Sequence, residues 1–178
     1  MRLFIAAELP EDVLEALAET SALLRSCMRG RFVAPDSFHV TLAFLGEVNG
    51  HRIDDACRAL SRGCAGFSPF TVSLGDLGCF GRRSKATLWQ GFHEQGRLPD
   101  VAKSVRAALS DEGFSFDEKT FLPHVTLMRA ADVTRGELPM PALAEGDISS
   151  ITLFRSDLSG SRPVYDALHT CHLSVEAC

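Results

Sequence analysis

Four residues occur twice in this chain: His39-Val40-Thr41-Leu42 returns as His124-Val125-Thr126-Leu127, 85 residues later. Histidine is the side chain whose ordinary pKa, near 6.5, lets one copy be a neutral base while another is a protonated acid at the same pH. A threonine hydroxyl two residues on can donate a hydrogen bond to an oxygen whose charge grows during reaction. Two such pairs facing one another suit in-line displacement at phosphorus. One imidazole takes a proton from an attacking water, the opposite imidazolium protonates the departing oxygen, and the hydroxyls hold the non-bridging oxygens. That scheme needs no metal and no cofactor. On residue types and spacing alone it stands level with a plainer reading, two histidines hydrogen-bonded within strands for structural reasons.

Those side chains need rigid mounts, and the flanking sequence supplies them. Residues i and i+2 of a strand share a face. His39 therefore points with Thr41, and His124 with Thr126, while Phe38, Val40, Leu42 and Phe44 fall on the other face and anchor the first strand. The apolar run Phe38 to Leu45 reads as a strand, as do Leu3 to Leu9, Phe70 to Leu77, Ala86 to Phe92, Leu122 to Arg129, Ile148 to Leu153 and Val164 to Leu173. Arg31 to Val33 reads as a short extended piece. Helical spacing marks a first helix from Pro10 toward Gly30 (Val13, Leu14, Leu17, Leu24, Met28). A second carries Ile53, Ala56, Cys57 and Leu60 on one face, and a third spans Leu98 to Glu112 with Gly113 as its stop. A Gly- and Arg-rich loop, Gly78 to Lys85, joins two strands. Several strands follow one another directly, which predicts an α+β fold with largely antiparallel sheet. No linker divides the chain, so residues 1–178 are read as one unit in two related lobes, each contributing one copy of the repeat.

Composition narrows the function classes. The 178 residues carry 18 Lys and Arg against 23 Asp and Glu, a formal net charge of −5, and 46% are hydrophobic. That apolar content excludes a disordered chain. The acidic balance argues against a general nucleic-acid coat, which needs broad phosphate neutralisation, and leaves room for a local phosphate site. The opening Leu3-Phe4-Ile5-Ala6-Ala7 is too short for a signal-peptide core, and no later run approaches a membrane span. The expected location is the cytoplasm, with no membrane partner. Six cysteines (Cys27, Cys57, Cys64, Cys79, Cys171, Cys178) show no metal-like spacing and read as apolar fillers and surface thiols.

At its repeated motif the chain resembles the two-histidine phosphoesterase superfamily, and within it the RNA 2′,3′-cyclic phosphodiesterases, historically called 2′-5′ RNA ligases. The likeness runs nearly end to end: Arg2-Leu3-Phe4-Ile5-Ala6, the first motif continued through Ala43-Phe44-Leu45-Gly46, and Phe80-Gly81-Arg82 with Ala86-Thr87-Leu88-Trp89. It continues in Pro123-His124-Val125-Thr126-Leu127 and in Leu158-Ser159-Gly160 with Arg162-Pro163-Val164-Tyr165. The resemblance implies a bilobal fold with pseudo-two-fold symmetry, helices on the outer faces and a central cleft. It implies hydrolysis of a terminal 2′,3′-cyclic phosphate to the 2′-phosphate, acting on RNA ends or small 2′,3′-cyclic nucleotides. It further implies His39 as proton donor to the leaving 3′ oxygen, His124 as the base that activates water, and Thr41 and Thr126 as holders of the phosphoryl oxygens. Reversible 2′-5′ ligation of tRNA halves and a non-catalytic RNA-end binding module are the alternatives, and the chain is read as a monomer.

Other residues are weighed beside the motif. Arg129 could bind phosphate or a flanking nucleotide, although strand parity puts it opposite His124 unless a bulge intervenes. Arg82, Arg83 and Lys85 could steer RNA, with a solvated loop the commoner reason for such a run. Phe80 is expected to pack in the core, Tyr165 either there or on a base. His169 and His172 read as incidental, and His51 and His93 as loop or turn residues without a role.

Overall fold

The computed structural model describes residues 1–174 apart from 118, 135 and 161; Cys178 lies outside the described residues. One sheet organises the chain. Its strands are β1 (Arg2–Ala7), β2 (Arg31–Phe32), β3 (Val40–Glu47), β4 (Phe70–Phe80), β5 (Ala86–Glu94), β6 (Val125–Ala131), β7 (Glu145–Ile148), β8 (Ser150–Asp157) and β9 (Val164–His172). They pair in the order β7-β4-β5-β6-β3-β1-β8-β9, with β2 added to β6, and every pairing is antiparallel. The helices are α1 (Glu11–Cys27), α2 (Ile53–Cys64) and α3 (Leu98–Asp111). The α+β expectation holds, and so does the division into halves. β3-β1-β8-β9 forms one half, β6-β5-β4-β7 the other, and the two are bridged by the pair Val40–Val125. Both valines are the middle residue of a His-x-Thr copy.

Local sequence explains the helices. Pro10, extended at φ −69°, caps α1, and Glu11 and Asp12 occupy its positive end while Arg25 sits at its negative end. Val13, Ala16, Leu17 and Leu24 of α1 are buried. α2 and α3 bury Ala56, Ala59 and Leu60 against Val101, Val105 and Leu109. They come close at Gly63, where an added Cβ would stand 2.6 Å from the Val105 Cα. Only a residue without a side chain permits that crossing.

Two strands depart from simple alternation, at equivalent places. In β3 the partners of β1 step from Ala43 (to Ile5) to Thr41 (to Ala6), so Leu42 is the extra residue of a bulge. In β6 the partners of β5 step from Met128 (to Leu88) to Thr126 (to Trp89), which makes Leu127 the extra residue there. Each bulge leucine is the fourth residue of a motif copy. Past the first bulge the faces exchange: Leu42 and Ala43 are both buried. Phe44, expected in the core beside Leu42, instead turns to the other face and lies under the Arg2 guanidinium, 4.6 Å from the ring centroid. Leu45, two residues beyond Ala43, keeps to the core face, and it is the extra residue of a second register shift between Leu3 and Phe4 of β1.

Element boundaries differ from expectation where glycines stood. β4 runs through Gly78 and Cys79 to Phe80, so the connecting loop is shorter than Gly78 to Lys85. Gly78 is tolerated in that strand because the Trp89 ring lies where its Cβ would be, 2.3 Å away. His93 belongs to β5 and meets Asp76 across the pair at 3.4 Å, rather than sitting in a loop. β7 had no clear signal in the sequence: Glu145-Gly146-Asp147-Ile148 is short and carries one buried apolar residue.

Candidate active site

Both motif histidines stand immediately before their strands, not within them: β3 starts at Val40 and β6 at Val125. In that position each ring turns back on its own backbone. His39 Nδ1–H donates to the Ser37 carbonyl at 2.8 Å, and His124 Nδ1–H donates to the Leu122 carbonyl at 2.7 Å. A carbonyl only accepts, so both bonds place the proton on Nδ1 and leave the Nε2 lone pair outward in the neutral ring. The Thr41 hydroxyl donates to His39 Nε2 at 3.1 Å.

The Val40–Val125 pair decides how the copies face each other. In an antiparallel register that matches residue 40 with 125, His39 comes level with Thr126 and Thr41 with His124. The two imidazoles are then diagonal neighbours across the seam between the lobes, close enough for the charge of His124 to be felt by the His39 ring. Aromatic side chains wall both. Phe4 and Tyr165 flank His39, with centroids at 4.9 and 5.5 Å. Phe80 and Trp89 flank His124 at 5.0 and 5.8 Å. Phe80 is therefore not a core residue: it is 41% exposed at the end of β4, on the His124 side of the cleft. Tyr165 lies on the His39 side.

Arg129 joins this group because of the Leu127 bulge. A regular strand would turn it away from His124, but the extra residue returns it to the side of the motif, and its charge acts on both rings. Burial depresses the His39 pKa to about 4, with the positive charge of Arg129 and the neighbouring His124 pushing the same way against the Ser37 hydrogen bond. Burial also lowers His124, with Arg129 again adding to the effect. A positively biased cleft with two neutral imidazoles is a site prepared for an anion.

Several residues contribute that sequence reading passed over. Phe4 and Trp89 form the walls described above. Glu8 extends the line Phe4, Ala6, Glu8 at strand spacing, and its carboxylate accepts hydrogen bonds from the Ser150 and Thr152 hydroxyls at 3.1 and 2.5 Å. The period of two along β1 was the available signal. Beside His39 these elements enclose a cavity of about 280 Å³, lined by Glu8, Asp36, Phe154 and Tyr165 among others. Arg83 is used structurally, donating to the Val133 carbonyl at 2.6 Å, and His169 bonds the Ser61 hydroxyl at 2.9 Å between β9 and α2, away from the motif. Among the described residues no cluster of three or more His, Cys, Asp or Glu is arranged to hold a metal ion, and no helix is long and apolar enough to cross a membrane.

Residues 7–89, which include the first motif copy, match the model of the LigT-like phosphoesterases. The RNA 2′,3′-cyclic phosphodiesterase of Thermotoga maritima is 30% identical to the chain over 179 residues, spanning 96% of this chain and 95% of that protein. The chain belongs to the LigT-like phosphoesterase family. Solved LigT-like structures superpose over nearly the whole length. TT0787 of Thermus thermophilus does so with a TM-score of 0.85 at 29% identity, covering 99% of this chain and all of that one. Escherichia coli LigT complexed with 3′-AMP does so with a TM-score of 0.82 at 28% identity, covering 98% of each chain. The LigT-like fold and its two-lobed antiparallel sheet are thus shared along the chain, including the part beyond residue 89 that carries His124.

Proposed function

We propose that this LigT-like phosphoesterase hydrolyses the terminal 2′,3′-cyclic phosphate of RNA, or of a small cyclic nucleotide, to the 2′-phosphate by paired histidine catalysis without a metal. One observation carries the reading: two imidazoles, each fixed by the same Nδ1 bond to the carbonyl two residues earlier, present Nε2 from opposite lobes under the charge of one arginine. His124 Nε2 removes a proton from the attacking water as the new P–O bond forms. His39 Nε2, protonated in the productive form, gives its proton to O3′ as the P–O3′ bond breaks. The Thr41 and Thr126 hydroxyls donate to the non-bridging oxygens, and the Arg129 guanidinium offsets the charge that gathers there. The bound phosphodiester anion counteracts the pull of Arg129 on His39 and helps it hold its proton. The assignment of acid and base follows the family likeness, since the two copies are nearly equivalent by geometry.

Residues 1–178 act in this reading as a single bilobal domain and as a monomer. The five described cysteines are free thiols, which suits a reducing cytoplasm. The deciding experiment incubates the protein with 2′,3′-cyclic AMP in the presence of EDTA and identifies the product by chromatography. Conversion to 2′-AMP is expected. Nucleotide returned unaltered would support a binding module, and activity abolished by EDTA would overturn the metal-free scheme. A 2′-5′-joined product from paired tRNA halves would point to ligation.

A further inference from the structure

If O3′ leaves toward His39, the ribose that keeps it lies on the His39 side of the cleft, and so does the base attached to that ribose. The cavity there is the space available to it. At about 280 Å³ it sits just below the size of pockets that hold drug-sized molecules, enough for one ring system. Leu9, Leu14 and Phe38 form apolar walls, and the Phe154 and Tyr165 rings offer stacking surfaces. Its carboxylates are Glu8 and Asp36, and Ser37 and His39 line the edge it shares with the motif. Two carboxylates repel a phosphate and welcome an uncharged partner rich in N–H donors, while Arg129 draws the phosphate to the motif. The cavity and the phosphate site thus sort the two ends of a nucleotide by charge.

Resting on the function proposed above, we infer that this cavity reads the base of the cyclic-phosphate nucleotide and selects guanine through Glu8. The Ser150 and Thr152 hydroxyls each donate to a different oxygen of Glu8, which fixes the plane of the carboxylate and leaves each oxygen a second lone pair. The guanine edge presents two parallel donors, N1–H and the N2 amino group, and matches that fork bidentately. Adenine and cytosine offer a single amino donor beside an acceptor. Uracil offers one N–H between two carbonyls that the carboxylate repels.

The test compares kcat/KM for the four nucleoside 2′,3′-cyclic monophosphates. Guanosine should exceed uridine by about 10-fold or more, the scale of one bidentate base contact, with adenosine and cytidine between. E8Q exchanges one carboxylate oxygen for an amide donor facing the base, so the guanosine-to-uridine ratio should fall by about 10-fold. A loss of folded protein lowers all four substrates alike and leaves the ratio intact, which separates misfolding from lost recognition. Rates within 3-fold of each other in the wild-type protein, a preference for adenosine, or a ratio untouched by E8Q would overturn the assignment. If none of the four is hydrolysed, the proposed reaction fails instead. Calorimetric binding of 2′-GMP and 2′-UMP then decides the cavity, with equal affinities refuting it.

Discussion

In the proposed mechanism, Arg129 and two neutral rings set the pH at which the pair works. The productive form is singly protonated, and both histidines lie below the ordinary value. kcat/KM should therefore peak on the acid side of pH 6.5 and decline above it, as the acid loses its proton. Removing the guanidinium in R129M relieves a positive charge that opposes protonation, so both pKa values rise and the peak moves to higher pH, alongside weaker phosphate binding. A pH–rate series on both proteins checks the direction. H39A and H124A should each lower kcat by roughly 10²–10⁴ while the far-UV circular dichroism and thermal midpoint remain near those of the parent. An unchanged rate in both would remove these residues from the chemistry. At this scale the motif residues are readable because the proposed chemistry lies in their side chains themselves. Glu8 is not, since a lone acidic residue at the end of an apolar strand looks like a surface charge until its partners on β8 are in view.

Strands and helices were legible where the apolar pattern is regular and illegible where the chain inserts a residue. Counting by twos along β3 and β6 assumes uniform alternation, and both strands break it at the motif leucine. Strict alternation therefore puts Phe44 on the wrong face and places Arg129 beside His124 only if a bulge intervenes. No residue type announces these bulges, because Leu42 and Leu127 are ordinary core residues, fully buried in the structure. The signal lies in pairing partners that are distant in sequence. The α2–α3 crossing is a similar case: helical spacing finds both helices, but not that Gly63 lies directly against Val105. G63A drives a methyl group into the Val105 backbone. Overpacking of this kind costs about 1–3 kcal/mol, so a urea midpoint lowered accordingly, with activity per folded molecule retained, is the expected outcome.

Across the whole molecule, the buried histidines tie folding to acidity. His39 titrates near 4 in the folded protein, against about 6.5 in an unfolded chain. Between those values the unfolded state binds the extra proton, so stability is full above pH 6.5 and declines as the pH falls toward 4. His124 adds to the same trend. Thermal midpoints measured from pH 7 to 4 should drop, and H39N should flatten the part that belongs to His39. Further decline below pH 4 would belong to carboxylates such as Asp55 and Asp157, whose hydrogen bonds hold them below their ordinary range. The joining of the two halves through Val40 and Val125 has its own consequence. Each half offers a substrate the same sequence of groups, so a molecule turned end for end would meet nearly the same hydroxyls and rings. Direction enters from unlike neighbours: an acidic recess lies on one flank and an exposed phenyl ring on the other, and in the proposed reaction that difference supplies the sense of forward and back.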